Sequence, residues 1–309
     1  MFEQLTAPVA AVFAALLGLL IVASIAIRVL AARNAHKDYT EVHLRIRTWW
    51  IMIAIVAIAI CISRNATVGL MALISFLALK EFLSLVPTRR ADRRVLLWLY
   101  LAIPIQYYWI ATDWFDMFVI WVPVYVFLGI PLIMVLIGET KGYLVAAGRL
   151  FWGAMTTVFA LGHAAYLLML PVGPAGSAGL LLYLILLTQL NDVAQFIWGK
   201  SIGKRKVLPK VSPGKTVGGL VGGIVTTTLI AVLLAPVLTP LSPGNAAIAG
   251  VIISFFGFIG DVTISAIKRD LGVKDFGTTL PGHGGILDRV DSLTYTAPLF
   301  FHFVYFLYF

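Results

Sequence analysis

Ten apolar runs separated by charged loops decide what this 309-residue chain can fold into. They cover residues 8–31, 49–63, 66–86, 95–111, 115–137, 150–170, 179–199, 217–239, 245–267 and 293–309. Most are long enough to cross a bilayer core, which takes about 20 helical residues. Inside lipid the chain must satisfy its own backbone N–H and C=O groups, so only helices and closed barrels can span. A barrel needs polar–apolar alternation over segments of roughly ten residues, whereas these runs are continuous. The sequence therefore predicts an all-α, polytopic transmembrane helical bundle of about ten spans. A composition 61% hydrophobic excludes an ordinary soluble domain.

The loop charges orient this bundle. Of the 23 Lys and Arg residues, all but Arg64 fall in alternate loops, from the group Arg28, Arg33, Lys37, Arg45 and Arg47 to the last group, Lys268, Arg269, Lys274 and Arg289. By the positive-inside rule those loops are cytoplasmic and both termini lie on the non-cytoplasmic side. The same rule accounts for most of the net charge of +9. No soluble basic domain is left to bind nucleic acid. The first apolar run has no basic stretch before it and reads as a retained span, not a cleaved leader. Cys61 is the only cysteine, which excludes an intramolecular disulfide and a cysteine-based metal site.

Polar residues divide the chain in two. Through residue 170 they keep mostly to loops, so 1–170 is expected to be a supporting set of transmembrane helices. Region 171–309, where polar motifs enter or abut the spans, is expected to be catalytic. Asn191 and Asp192 interrupt the seventh run, although a carboxylate within a membrane helix costs on the order of 2.5–3.5 kcal/mol. With Gln195 they form a polar patch suited to a cavity wall. Six basic residues follow, from Lys200 to Lys215, ending in Ser212-Pro213-Gly214-Lys215-Thr216. Ser212 is expected to cap the next helix and Pro213 to occupy an early helical position. The free N–H groups, with Lys215 and Thr216, would then meet phosphate. This is not a Walker loop, because Pro209 stands where that spacing requires glycine. Gly218, Gly219, Gly222 and Gly223 form a small-residue packing face.

Residues 261–292 hold five Asp, two Lys, two Arg and one His between long apolar runs. Asp261, Ser265, Lys268 and Arg269 share one helical face. Lys274 and Asp275 follow, then the turn Leu280-Pro281-Gly282-His283-Gly284-Gly285, then Asp288, Arg289, Asp291 and Ser292. Carboxylates without cysteines or several histidines suit a hard cation such as Mg²⁺. Lys and Arg suit phosphate oxygens. Metal, phosphate and lipid together point to phosphoryl or nucleotidyl transfer on a lipid, driven by positioning and charge neutralisation.

Ser265 through Asp291 reads SAIKRDLGVKDFGTTLPGHGGILDRVD, which resembles the signature of the CDP-diacylglycerol synthases, or phosphatidate cytidylyltransferases. Gly260-Asp261 and the Ser212-Pro213, Lys215-Thr216 segment match as well. The resemblance is specific over about the last 120 residues and rests on hydrophobicity alone before residue 170. It implies an enzyme of phospholipid biosynthesis in the bacterial inner membrane, with its active site facing the cytoplasm, that joins CTP to phosphatidate and releases pyrophosphate. It further implies that Asp261 and Asp288 hold Mg²⁺, with a second cation such as K⁺ nearby, supported by Asp291 and Asp192. Lys268, Arg269, Lys274 and Arg289 would neutralise phosphates. His283, Gly284 and Gly285 would shape the nucleotide pocket, alongside Ser265 and Asp275. Ser212, Lys215 and Thr216 would contact phosphate from the other side. A homodimer among membrane lipids is implied too. Three positions depart from the family pattern: Gly214 replaces Lys, Gly218 replaces Glu, and Ile264 replaces Glu. They keep open a different lipid acceptor, a CTP-dependent lipid kinase or an inactive scaffold. A lipid transporter or scramblase is the reading from another class, and it would want polar residues through the bilayer depth and internal repeats.

Overall fold

The computed structural model describes residues 4–34, 38–170 and 173–309. Residues 1–3 and Lys37, used above for the N-terminal span and the loop charges, lie outside them. Each predicted run is a helix. These are α1 (Ala7–Arg33), α2 (Thr40–Ile62), α3 (Arg64–Leu85), α4 (Arg93–Ala111), α5 (Phe115–Ile137), α6 (Tyr143–Met169), α7 (Ser177–Ser201), α8 (Val217–Leu238), α9 (Pro243–Asp270) and α10 (Leu293–Tyr308). Eight of them are long and apolar enough to cross a membrane, so the chain is an integral membrane protein. The exceptions are α4 and α10. In α4, Arg93, Arg94 and Gln106 lower the hydropathy of a 19-residue helix. The other, α10, has 16 residues, which is about 24 Å of helix against a core of about 30 Å.

The structure extends one local reading and corrects another. Helix α2 begins at Thr40, nine residues before the apolar run that opens at residue 49. Water beyond the bilayer tolerates a helical turn bearing Glu41, His43, Arg45 and Arg47, and hydropathy cannot mark where such an extension starts. Ser212 does not cap a helix. Ser212–Thr216 is a strand, β2, paired antiparallel with β1 (Lys206–Leu208). The cap of α8 is Thr216, whose hydroxyl accepts the Gly219 N–H at 3.1 Å. The five-residue strand moves the helix start past the whole Ser-Pro-Gly-Lys motif.

Helices α7 to α10 pack tightest. Gly219 and Gly223 of α8 lie so close to Gln195 of α7 that a Cβ would come within 2.7 Å and 2.5 Å of it. At Gly260 of α9, a Cβ would stand 2.7 Å from the Asp291 carbonyl. Small residues let these backbones approach where lipid offers no hydrophobic drive for helices to associate. Helices α1 and α2 are peripheral: 17% of the spanning window of each is buried, against 56% for α7. Phe82 of α3 joins the two halves, stacking on Trp152 of α6 and lying beside Phe276 of the polar loop.

Candidate active site

The site is assembled where β2, α7 and α9 meet. The Lys215 ammonium lies 2.6 Å from Asp261 Oδ2 and donates to Gln195 Oε1 at 3.0 Å. Asp261 Oδ1 accepts from Ser265 Oγ one turn on. Burial by itself would lower the Lys215 pKa, but Asp261 and then Asp192 outweigh it and hold the pKa above its ordinary value. The polar pair in α7 divides its roles. Asn191 donates to Ser254 O at 3.1 Å and accepts from Thr227 Oγ1 at 3.3 Å, tying α7 to α9 and α8. Asp192 Oδ1 and Gln195 Nε2 are buried without a hydrogen-bond partner.

Asp291 joins this centre from the head of α10. Burial, and then the charges of Asp261 and Asp192, push its carboxyl well above the usual range, with Lys268 opposing. Among the described residues, no three His, Cys, Asp or Glu side chains stand grouped for a metal. The donor chemistry nonetheless fits a hard divalent cation. All the donors are carboxylate oxygens, their mutual repulsion calls for positive charge, and one Asp192 oxygen is buried and unclaimed.

Asp288 sits differently. Its Oδ1 pairs with Lys268 Nζ at 2.8 Å in a buried contact, and its Oδ2 accepts the N–H of Phe276 at 2.8 Å and of Gly285 at 3.0 Å. Both oxygens are engaged by the protein, and they pin the polar loop to α9. Gly284 adopts φ +83°, which suits glycine, and a Cβ there would press within 3.0 Å of Asp288 Oδ2. Arg269 donates to Val211 O at 3.2 Å and to Val273 O at 3.4 Å, joining the hairpin to the end of α9. Arg289 Nε is buried and unpartnered. Lys274 and Asp275 are exposed on the loop surface, and Ser212 is half-buried on β2.

Glu81, to which the sequence alone assigns no role, is tied to the glycine-rich loop. Glu81 Oε1 accepts from Thr279 Oγ1 at 2.7 Å and from Ile286 N at 2.9 Å, and Oε2 accepts from Leu287 N at 2.8 Å. Gly285 packs directly on this carboxylate. From α2, Thr48 donates to Pro281 O at 2.8 Å, Arg45 donates to Gly282 O at 3.2 Å, and Trp49 meets the His283 ring edge-on. The half expected only to support thus grips the glycine-rich loop. The one signal in the sequence was a carboxylate at the end of an apolar run, and its partners lie about two hundred positions away. Glu81→Ala leaves two loop N–H groups and a hydroxyl without their acceptor, at about 1–3 kcal/mol for each buried orphan. We expect a loss of about 2–4 kcal/mol and faster hydrogen exchange across 277–287. Unchanged exchange there would remove Glu81 from this role.

His283 is buried beneath Trp49. Burial, and then the charges of Arg289 and Arg45, lower its pKa below 6.5. The unfolded chain therefore binds a proton that the folded one resists, and stability falls as pH drops from about 6.5 toward the folded pKa. Replacing His283 by Gln should flatten that part of the stability profile while leaving it unchanged near pH 8; an identical acid slope in both proteins would count against this.

Residues 43–307 match the family model described as the cytidylyltransferase family. The Escherichia coli K12 protein named "Uncharacterized protein YnbB" is 48% identical over 292 residues, 94% of this chain and 96% of the relative. The phosphatidate cytidylyltransferase of Haemophilus influenzae is 41% identical over 132 residues, 41% of this chain and 46% of the relative. A chloroplastic phosphatidate cytidylyltransferase of Arabidopsis thaliana is 57% identical over 60 residues, 19% of this chain and 15% of the relative. The matches to these two phosphatidate cytidylyltransferases thus span less than half of either chain.

Proposed function

The chain belongs to the cytidylyltransferase family and is a nucleotidyltransferase, and on that premise we propose that it makes CDP-diacylglycerol and pyrophosphate from CTP and phosphatidate. The carrying observation is the set of buried, unclaimed groups around one centre: Asp192 Oδ1 and Arg289 Nε, beside the Lys215–Asp261 pair. Such groups suit a ligand that brings both a cation and phosphate oxygens.

In this reading a phosphatidate oxygen attacks the α-phosphorus of CTP, the bond to the bridging oxygen breaks, and pyrophosphate leaves with those electrons. Asp261 and Asp192 would hold Mg²⁺, with Asp291 adding charge beside them, and the ion would supply charge neutralisation on the phosphates when bound; a K⁺ ion would serve as the second cation. Because Asp288 holds two loop N–H groups, and the acids whose charges bear on Asp291 are Asp261 and Asp192, we assign Asp288 to fixing the loop rather than to the cation. Lys215 and Arg289 neutralise phosphate charge, joined by Lys274 from the exposed side. Lys268 acts through Asp288. His283, Gly284, Gly285 and Asp275 shape the nucleotide side, while Arg269, Ser212 and Thr216 hold the hairpin beside it. We also assign ten spans, both termini on the non-cytoplasmic side, an inner-membrane location with the site facing the cytoplasm, a supporting 1–170 and catalytic 171–309 division, and a homodimer. The segregation of basic residues supports the orientation.

Two of the three departures from the family pattern have local explanations, and nothing in the structure explains Gly214. Gly214 has open space around it, whereas at Gly218 a Cβ would meet Gly203 Cα at 3.2 Å, and Ile264 is fully buried. An acid at either of the last two positions would need different surroundings.

The test is product release from CTP with Mg²⁺ across a panel of lipid acceptors. Pyrophosphate released only with phosphatidate supports the proposal. CDP released with a lipid alcohol would overturn it in favour of a kinase, and pyrophosphate with another lipid phosphate would change the acceptor.

A further inference from the structure

A concavity lined by basic side chains over a largely apolar floor shares none of these residues; it lies between the α3–α4 loop, the α5–α6 loop and the first turns of α6. Its volume is about 530 Å³. Four cations line it, Arg89, Arg90, Lys141 and Arg149, against one carboxylate, Glu139. Two of the four build its frame. Arg89 forms a two-pronged pair with Asp92 and donates to the carbonyls of Glu139 and Lys141, locking the two loops together. Arg149 reaches from α6 to Pro87 O at 3.0 Å. The other two are exposed, and their side chains have no protein partner among the described residues. Val145 and Ala146 supply an apolar flank.

We propose that this pocket binds the phosphate headgroup of an anionic glycerophospholipid at a site distinct from the catalytic one. Both loops belong to the basic side of the bundle, where a bilayer presents phosphate, and basic pockets between membrane helices are suited to acidic headgroups. Arg90 and Lys141 supply free charge, the framed arginines hold the loops in place before binding, and the apolar flank meets the glycerol and upper acyl carbons. The inference does not rest on the proposed reaction.

The experiment is native mass spectrometry of the full chain in detergent, titrated with phosphatidylglycerol, phosphatidylcholine and inorganic phosphate. Phosphatidylglycerol is a phosphodiester without the terminal phosphate that the proposed chemistry requires, so its binding reports this pocket and not turnover. Wild type should retain phosphatidylglycerol in preference to phosphatidylcholine. Arg90→Gln with Lys141→Gln should weaken that retention by about fivefold per charge, roughly twenty-five-fold together. Neither side chain has a partner among the described residues, so the fold should stand. Arg28→Gln with Arg33→Gln, on the peripheral α1, should leave retention unchanged. Equal losses in the two double variants, or full retention in the first, would overturn the pocket. Displacement of phosphatidylglycerol by inorganic phosphate at equal concentration would overturn the lipid assignment.

Discussion

Asp261→Asn is expected to lower CTP-dependent pyrophosphate release by about 10²–10³-fold or more while the protein stays folded. Among the described residues Asp261 is the one acid that touches Lys215 directly, and its charge bears on Asp291 as well. The amide keeps the shape and an acceptor for Lys215 but removes the charge through which a divalent cation would be held. The half-saturating Mg²⁺ concentration should rise along with the loss of rate. The thermal midpoint should change little, because one of several mutually repelling carboxylates is removed while its contacts persist. A variant with near-normal turnover and unchanged Mg²⁺ dependence would remove Asp261 from the cation site.

Asp288→Ala is expected to damage the fold itself. Lys268 and Asp288 are both buried, and breaking such a pair by removing one partner costs about 3–5 kcal/mol, because a charge is left uncompensated. Two loop N–H groups, from Phe276 and Gly285, lose their acceptor in the same step. The readouts are the thermal midpoint and the monodisperse fraction in detergent. Adding Lys268→Met to Asp288→Ala should recover part of the loss, since the stranded charge goes with it. If the single variant keeps the wild-type midpoint, or the double variant fares worse, the pair is not the loop's anchor. The comparison also separates the two acids: loss of Asp261 should silence a folded protein, and loss of Asp288 should unfold an otherwise complete site.

How much was legible in the sequence depended on whether a signal was local. A carboxylate inside an apolar run is expensive wherever it lies, and Asp192 was singled out on that ground alone. The four-residue step from Asp261 to Ser265 is a property of one helix, and the structure keeps it as a hydrogen bond. Cap chemistry at Ser212 does not reveal a hairpin: extended pairing with Lys206–Leu208 moves the cap to Thr216. Glu81 was passed over because nothing near it in the chain shows that it receives Thr279, Ile286 and Leu287.

By itself the sequence determined that the chain is helical and membrane-embedded, because hydropathy and backbone satisfaction in lipid leave no other fold for continuous apolar runs. It also determined the chemical inventory of the site: acids and bases without thiols, set among glycines. Only the tertiary structure decided which groups each acid meets. It gave Asp288 to the loop, left one oxygen of Asp192 unclaimed, and brought Lys215 to Asp261 across 46 positions of chain. Those assignments depend on which helices pack together, and close approach at residues such as Gly219, Gly223 and Gly260 sets that packing. Spacing along one helix carries no record of it.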